Sequence, residues 1–387
     1  MPFLSFLSYL ALLHAATALL HLFDASPKLL PYNSPLFRWD ALHFTHIASA
    51  GYIYEHEWAF FPAIAFLLRA FGLQNAHSVI LFYALMLIVA WDTHRTLRSL
   101  SLHHLRSSKL TKLACTLSLI PTSPATLYFV PYNEPFFTYF SYRGMLFCTR
   151  REYFKAAICF ALAGSFRSNG ILLSGFLLWD LLIQPFLEEK SLKSKSLLKA
   201  TAYTSVVFLP FVAHHIVAYH TFCSADKAET PAWCSQIPPS IYTHVQSKYW
   251  DNGFLRYWTL NELPNFILAA PNITLLFAFS VHHLASRLRS GSVSFFKSAA
   301  APSKTNLPFE NSSITPHAIH ALVMTFLLVF TSNVQIVLRL AASMPIIYWA
   351  AAWLLVEHPK AGRVWVIWSV LWGTISTILW ATFLPPA

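Results

Sequence analysis

The chain has 387 residues, 56% of them hydrophobic and 11% charged, with thirty-three Phe, thirteen Trp and a mean hydropathy of +0.49. That composition excludes a single water-soluble core, and several apolar runs approach the ~20 residues that cross a bilayer as a helix. The formal charge of +11 does not describe a nucleic-acid-binding patch, because Lys and Arg recur in short clusters between apolar runs, as in cytoplasmic loops.

The first apolar run, 3–23, lacks a basic leader and a clear cleavage site, so it reads as a retained span. Further runs lie at 76–93, 113–130, 134–148, 154–166, 170–186, 200–219, 266–285, 317–336, 340–357 and 364–384. The expected fold is an all-α polytopic membrane protein, a single domain of about eleven transmembrane helices, those at 134–148 and 154–166 being short. With the N-terminus cytoplasmic, eighteen of the twenty-seven basic residues fall in cytoplasmic loops: 95–112, 150–155, 190–199, 287–304 and 360–363. The same orientation makes 24–75 a first lumenal loop, 220–265 a long lumenal loop and 286–316 a cytoplasmic polar linker. The sequons at Asn272 and Asn311 then fall in a span and on the cytoplasmic side, where neither is expected to be used.

The first lumenal loop is unusual. In "RWDALHFTHIASAGYIYEHEW" (38–58), Arg38, Asp40, His43, His46, Glu55, His56 and Glu57 crowd together, although the whole chain has sixteen acidic residues. Phe37–Ala50 is expected to form a helix lying in the membrane interface, with Trp39, His43 and His46 three or four residues apart. Asp40 can cap that helix or pair with Arg38, but carboxylates near a bilayer are costly and mark function. Glu55-His56-Glu57 makes a weak metal site, since adjacent residues on an extended segment point in different directions. The chain has no Asp-x-Asp for a metal-bound nucleotide sugar. The expectation is no metal, and a phosphate recognised by basic residues.

Further along, "PYNEP" (131–135) is a polar signature between apolar runs. "FRSNG" (166–170) offers Arg167 and Asn169, and "NVQIVLR" (333–339) offers Gln335 and Arg339; arginine's planar fork suits phosphate. Cys223 and Cys234 flank a polar stretch and can close a disulfide in an oxidising lumen or remain free thiols. In the long loop, Gln246, Lys248, Tyr249, Trp250, Arg256, Tyr257 and Trp258 suit either an interfacial aromatic belt or a platform for a sugar or lipid tail. All these signatures fall on the lumenal side.

These pieces resemble the PIG-V (GPI mannosyltransferase 2) family over nearly the whole chain. The matching segments are "RWDALHFTHIASAGYIYEHEWAFFP" (38–62), "SPATLYFVPYNEPFF" (123–137), "RSNG" (167–170), "QSKYWDNGFLRYW" with "LPNFILAAP" (246–271) and "NVQIVLRLAASMPIIYW" (333–349). The family pattern more often has Asn at the position of Glu57. The resemblance implies a GT-C-like bundle in the endoplasmic reticulum membrane. It implies transfer of the second, α1,6-linked mannose from dolichyl-phosphate mannose to the GPI precursor, with no cofactor and, in some organisms, a small membrane accessory subunit. A β-linked donor and an α-linked product imply inversion by one displacement, which needs a single general base. Asp40 is the expected base. Arg167 and Arg339, with Arg38 or His43, are expected on the phosphate. Glu55 is expected as a second catalytic residue that orients acceptor mannose and donor, and Glu57, Asn169, Gln246, Tyr249, Trp250, Arg256 and Gln335 are expected to bind the substrates. A polyisoprenol or lipid transporter is the alternative from another class, but its polar residues would run through the midplane, often in inverted repeats. A dolichol-dependent mannosyltransferase with another acceptor is the alternative within the enzyme class.

Overall fold

The computed structural model describes residues 2–25, 35–72, 76–223, 230–289 and 308–385. Every regular element among these residues is a helix, with no strand. In chain order the α-helices are α1 (Pro2–Leu19), α2 (Asp40–Ala50), α3 (Ala63–Phe71), α4 (Ala76–Leu105), α5 (Ser108–Leu117), α6 (Pro124–Tyr128), α7 (Glu134–Thr149) and α8 (Tyr153–Phe166). They continue with α9 (Ser174–Leu178), α10 (Gln184–Glu189), α11 (Ser194–Phe222), α12 (Ile241–Tyr249), α13 (Leu263–Arg289), α14 (Thr315–Phe330), α15 (Val337–Leu340), α16 (Ile346–Glu357) and α17 (Pro359–Ala381). Most of the 286–316 linker, including Lys297 and Lys304, lies outside the described residues.

Among the described residues, seven helical segments are long and apolar enough to span a membrane, or eight if Val334–Ser343 and Ile346–Glu357, bent by 93°, count as one broken span. The expected count of about eleven is not confirmed among them. The run 113–130 splits into α5 and α6 on either side of Pro121, and α7 and α8 have only 16 and 14 residues. At 1.5 Å per residue they reach about 24 and 21 Å, short of the ~30 Å hydrocarbon core. Hydropathy registers their oiliness; length decides whether they cross.

The short helices form the interior. α7 packs on α4 and α8, and α8 on α11. Small residues permit the close approach: a Cβ at Gly144 would stand 2.3 Å from the Phe160 ring, and one at Gly170 would stand 2.4 Å from the Gly164 Cα. α16 is apolar all round and buried from Ile346 to Trp353, as a helix without a polar face must be. The bend before it is tolerable because its backbone is held inside the protein: the Thr122 hydroxyl donates to Leu338 O at 2.5 Å and the Tyr142 hydroxyl to Ala342 O at 2.6 Å. Both sequon asparagines serve structure. Buried Asn272 donates to Thr122 Oγ1 at 3.3 Å, and Asn311 donates to His104 O at 2.8 Å.

Candidate active site

The helix expected at 37–50 is present as α2, beginning at Asp40. The residues before it anchor the chain. Arg38 is buried, and its two terminal nitrogens donate to both oxygens of Asp24 at 2.9 and 3.1 Å. Trp39 stacks on Phe383 at 5.2 Å, and Trp380 Nε1 donates to Pro35 O at 2.7 Å. Between these anchors Trp39 takes φ +55°, a backbone cost of about 1–3 kcal/mol that the packing must offset. The strained turn sets the direction in which α2 leaves. Arg38, expected on a phosphate, is instead spent on Asp24, where it fixes this turn.

Asp40 then faces a group drawn from distant segments. Its backbone N–H donates to the Tyr132 hydroxyl at 3.0 Å, and Arg339 Nη1 donates to Asp40 Oδ2 at 3.2 Å. Arg339 Nε stands 3.8 Å from Glu134 Oε1, which also accepts from Arg167 Nη1 at 2.7 Å. The result is a line of alternating charge: Asp40, Arg339, Glu134, Arg167. Asp40 opens α2, Glu134 opens α7, Arg167 ends α8, and Arg339 lies on α15 beside the bend. Gly170 lets the turn after Arg167 close against Gly164. Burial, helped by the Asp40 carboxylate, holds the Tyr132 phenol well above its ordinary pKa, so it stays a neutral hydrogen-bonding group. The Asp40 side chain is 34% exposed and reachable, whereas Glu134 is 2% exposed. Around the line, Glu134 Oε2, Arg339 Nε, Asn133 Oδ1, Asn333 Oδ1 and Gln335 Oε1 are buried with no hydrogen-bond partner among the described residues. Buried polar atoms normally have partners, so these atoms can make a further hydrogen bond with water or a polar group.

A second cluster adjoins the first through Phe44, whose ring meets Tyr132 at 5.5 Å and Phe60 at 5.2 Å. His43 stacks on Phe60 at 5.2 Å, and Trp250 meets Phe60 edge-on at 5.8 Å. Desolvation lowers the His43 pKa against the opposing pull of Asp40. Glu55 accepts from Lys248 Nζ at 2.7 Å and from the Tyr249 hydroxyl at 2.9 Å, with His244 Nε2 at 3.3 Å. Burial opposes its ionisation, but these hydrogen bonds and the Lys248 and His244 charges prevail and hold the carboxyl below its usual range. Glu55 thus ties the first loop to α12. Glu57 is fully committed: Oε2 accepts the Ile53 and Tyr54 N–H groups at 3.0 Å each, and Oε1 pairs with His46 Nδ1.

The remaining expected residues are dispersed. Gln246 accepts from Asn252 Nδ2. Arg256 is half exposed, on Ser247 at 2.7 Å and Asp251 at 3.4 Å. Asn169 is half-buried beside Ser168, whose hydroxyl donates to the Tyr242 hydroxyl at 2.8 Å. Cys223 and Cys234 are disulfide-bonded. Among the described residues no three His, Cys, Asp or Glu side chains are grouped to hold a metal. Sequence reasoning singled out Asp40, Arg167 and Arg339 but passed over Glu134 and Tyr132. "PYNEP" stood out as polar, yet its acid resembles an ordinary first-turn helix residue.

A reachable carboxylate can take up a proton, and guanidiniums beside it can hold an anionic group. Residues 24–387 match the family described as Mannosyltransferase (PIG-V). The chain belongs to that family and is a glycosyltransferase. It is 32% identical to GPI mannosyltransferase 2 of Cryptococcus neoformans var. neoformans serotype D (strain JEC21), over 99% of this chain and 96% of the relative. It is 32% identical to mouse GPI alpha-1,6-mannosyltransferase 2, over 84% of this chain and 73% of the relative. The Kluyveromyces lactis GPI mannosyltransferase 2 is 29% identical, over 92% and 88% respectively. No solved structure matches the chain.

Proposed function

We propose that this protein transfers the second, α1,6-linked mannose from dolichyl-phosphate mannose to the GPI precursor, by an inverting single displacement at the lumenal face of the endoplasmic reticulum membrane. The observation that carries the reading is the Asp40–Arg339–Glu134–Arg167 line, with Asp40 reachable at one end and Glu134 buried between the two arginines. The names of the relatives support the acceptor and linkage. The Lys and Arg distribution supports a cytoplasmic N-terminus, and the disulfide suits an oxidising compartment.

The chemistry balances as a charge exchange. The acceptor hydroxyl gives its proton to Asp40 while its oxygen forms a bond to the mannose anomeric carbon. The bond from that carbon to the phosphate oxygen breaks, and its electron pair leaves with dolichyl phosphate. Asp40 loses its negative charge as the phosphate gains one, so Arg339 exchanges one counter-ion for the other without a change in total charge. Arg167 adds a second fixed donor for the phosphate. Glu134, bridging both arginines, keeps them aimed while Asp40 is neutralised. The arginines supply the charge stabilisation, and no metal enters the reaction. The His43, Phe60, Tyr249 and Trp250 rings give the sugars or the lipid tail an apolar wall.

The test is transfer of labelled mannose from dolichyl-phosphate mannose to a monomannosylated GPI precursor by the purified protein, with and without chelator. Transfer in both arms, giving an α1,6 product, is the expected result. Loss with chelator would overturn the metal-free mechanism. Transfer to a different acceptor only would overturn the GPI assignment.

A further inference from the structure

A second polar cavity, of about 420 Å³, lies between α4 and α7, lined by Asp92, Arg95, Arg98, Ser99, Arg143 and Arg150. It is remote from Asp40. Arg150 stands sixteen residues beyond Glu134, about 24 Å along and just past the end of the same helix. Arg143 donates from Nε to Asp92 Oδ2 at 2.9 Å, tying the two helices together. No carboxylate pairs with Arg95, Arg98 or Arg150 among the described residues, and all three are exposed. Four guanidiniums therefore surround one space with a single carboxylate between them. Like charges gathered this way repel one another, and an anion relieves that repulsion. The guanidinium fork matches phosphate oxygens in particular.

We infer that this cavity binds the phosphate headgroup of an anionic membrane lipid. Its size is that of a small-molecule site. The choice of a lipid over a free anion rests on the α4 surface: Ile88, Trp91, Arg95 and Arg98 follow one another at helical spacing, and Ile88 and Trp91 are 64% and 48% exposed. One helix face thus passes from an apolar stripe into the arginine cavity, matching a lipid whose acyl chain and headgroup are joined. The site is separate from the Asp40 group and independent of the reaction assigned to it.

The test is binding of dioctanoyl phosphatidic acid to the full-length protein in neutral detergent, followed by the rise in Tm with lipid concentration. Dioctanoyl phosphatidylcholine and inorganic phosphate serve as comparison arms. Phosphatidic acid is expected to bind at least about tenfold more tightly than either, since binding engages several charge-assisted hydrogen bonds and an apolar chain together. R95Q/R98Q is expected to lose about tenfold in affinity. R150Q, on the opposite wall, provides an independent readout with a smaller loss of about threefold. K360Q/R363Q, an exposed basic pair outside the cavity, should bind as the parent does. Parent-like binding by both R95Q/R98Q and R150Q, or an equal loss in K360Q/R363Q, would overturn the site. Inorganic phosphate binding as tightly as phosphatidic acid would overturn the assignment to a lipid.

Discussion

Asp40 and Glu57 lie in the same loop, seventeen residues apart, and the structure treats them in opposite ways. Glu57 is 1% exposed, with both oxygens engaged by His46 and two backbone N–H groups. Asp40 is 34% exposed and is held through one oxygen by a single arginine at 3.2 Å. A carboxylate whose oxygens are all committed to the protein's own donors organises a fold. One held lightly, beside buried atoms still lacking partners, is available for chemistry. The same contrast separates Arg38, fixed by Asp24, from Arg339, shared between two carboxylates.

That contrast can be broken by substitution. Arg339→Gln should reduce the transfer rate by about 10²–10³-fold, the usual cost of losing a fixed donor to a developing anion, measured as kcat with labelled donor. Parent-like kcat would place the phosphate elsewhere. Glu134→Gln leaves two arginines without their shared counter-ion. It should cost about 3–5 kcal/mol of stability as well as activity, read from thermal unfolding. Glu57→Gln should cost about 1–3 kcal/mol through lost hydrogen bonds, with kcat nearly unchanged; a large kcat loss at unchanged Tm would erase the distinction drawn here. Glu55→Gln should matter least, by ~0.5 kcal/mol for a solvent-screened pair. Because the Glu55 carboxyl titrates below its usual 4.5, its stabilising contribution is fully present above that value and is lost as pH falls through the lowered one. The docking of the first loop on α12 should therefore loosen only in acid, as seen by Trp250 fluorescence, and the Glu55→Gln protein should lack that transition.

Much of this was legible in the sequence, for identifiable reasons. Charges in an oily chain are conspicuous, so Asp40, Arg167 and Arg339 stood out, and helical periodicity located α2 to within a few residues. Pairings were not legible: Asp40 and Arg339 are 299 positions apart, and only the fold brings the Arg339 side chain on α15 to the first residues of α2 and α7. Arg38 misled because its partner, Asp24, lies on the far side of a proline-containing stretch. Glu134 was passed over because an acid after Asn133 and before Pro135 is what an ordinary helix start contains. The arginines of the second cavity were noticed as loop charges, since only the contact of α4 with α7 makes them a site. The span count is unconfirmed at α7 and α8, whose composition is that of the membrane and whose length of 16 and 14 residues is below that of a full crossing.

The most direct test of the account is single-turnover mannosyl transfer by Asp40→Asn, an isosteric change that keeps a hydrogen-bond acceptor for Arg339 and removes the base. Donor binding and Tm should remain close to those of the parent, while the rate falls by about 10²–10⁴-fold, the contribution of a positioned general base. Transfer at the parental rate by folded Asp40→Asn protein would contradict the central claim and move the base to another residue.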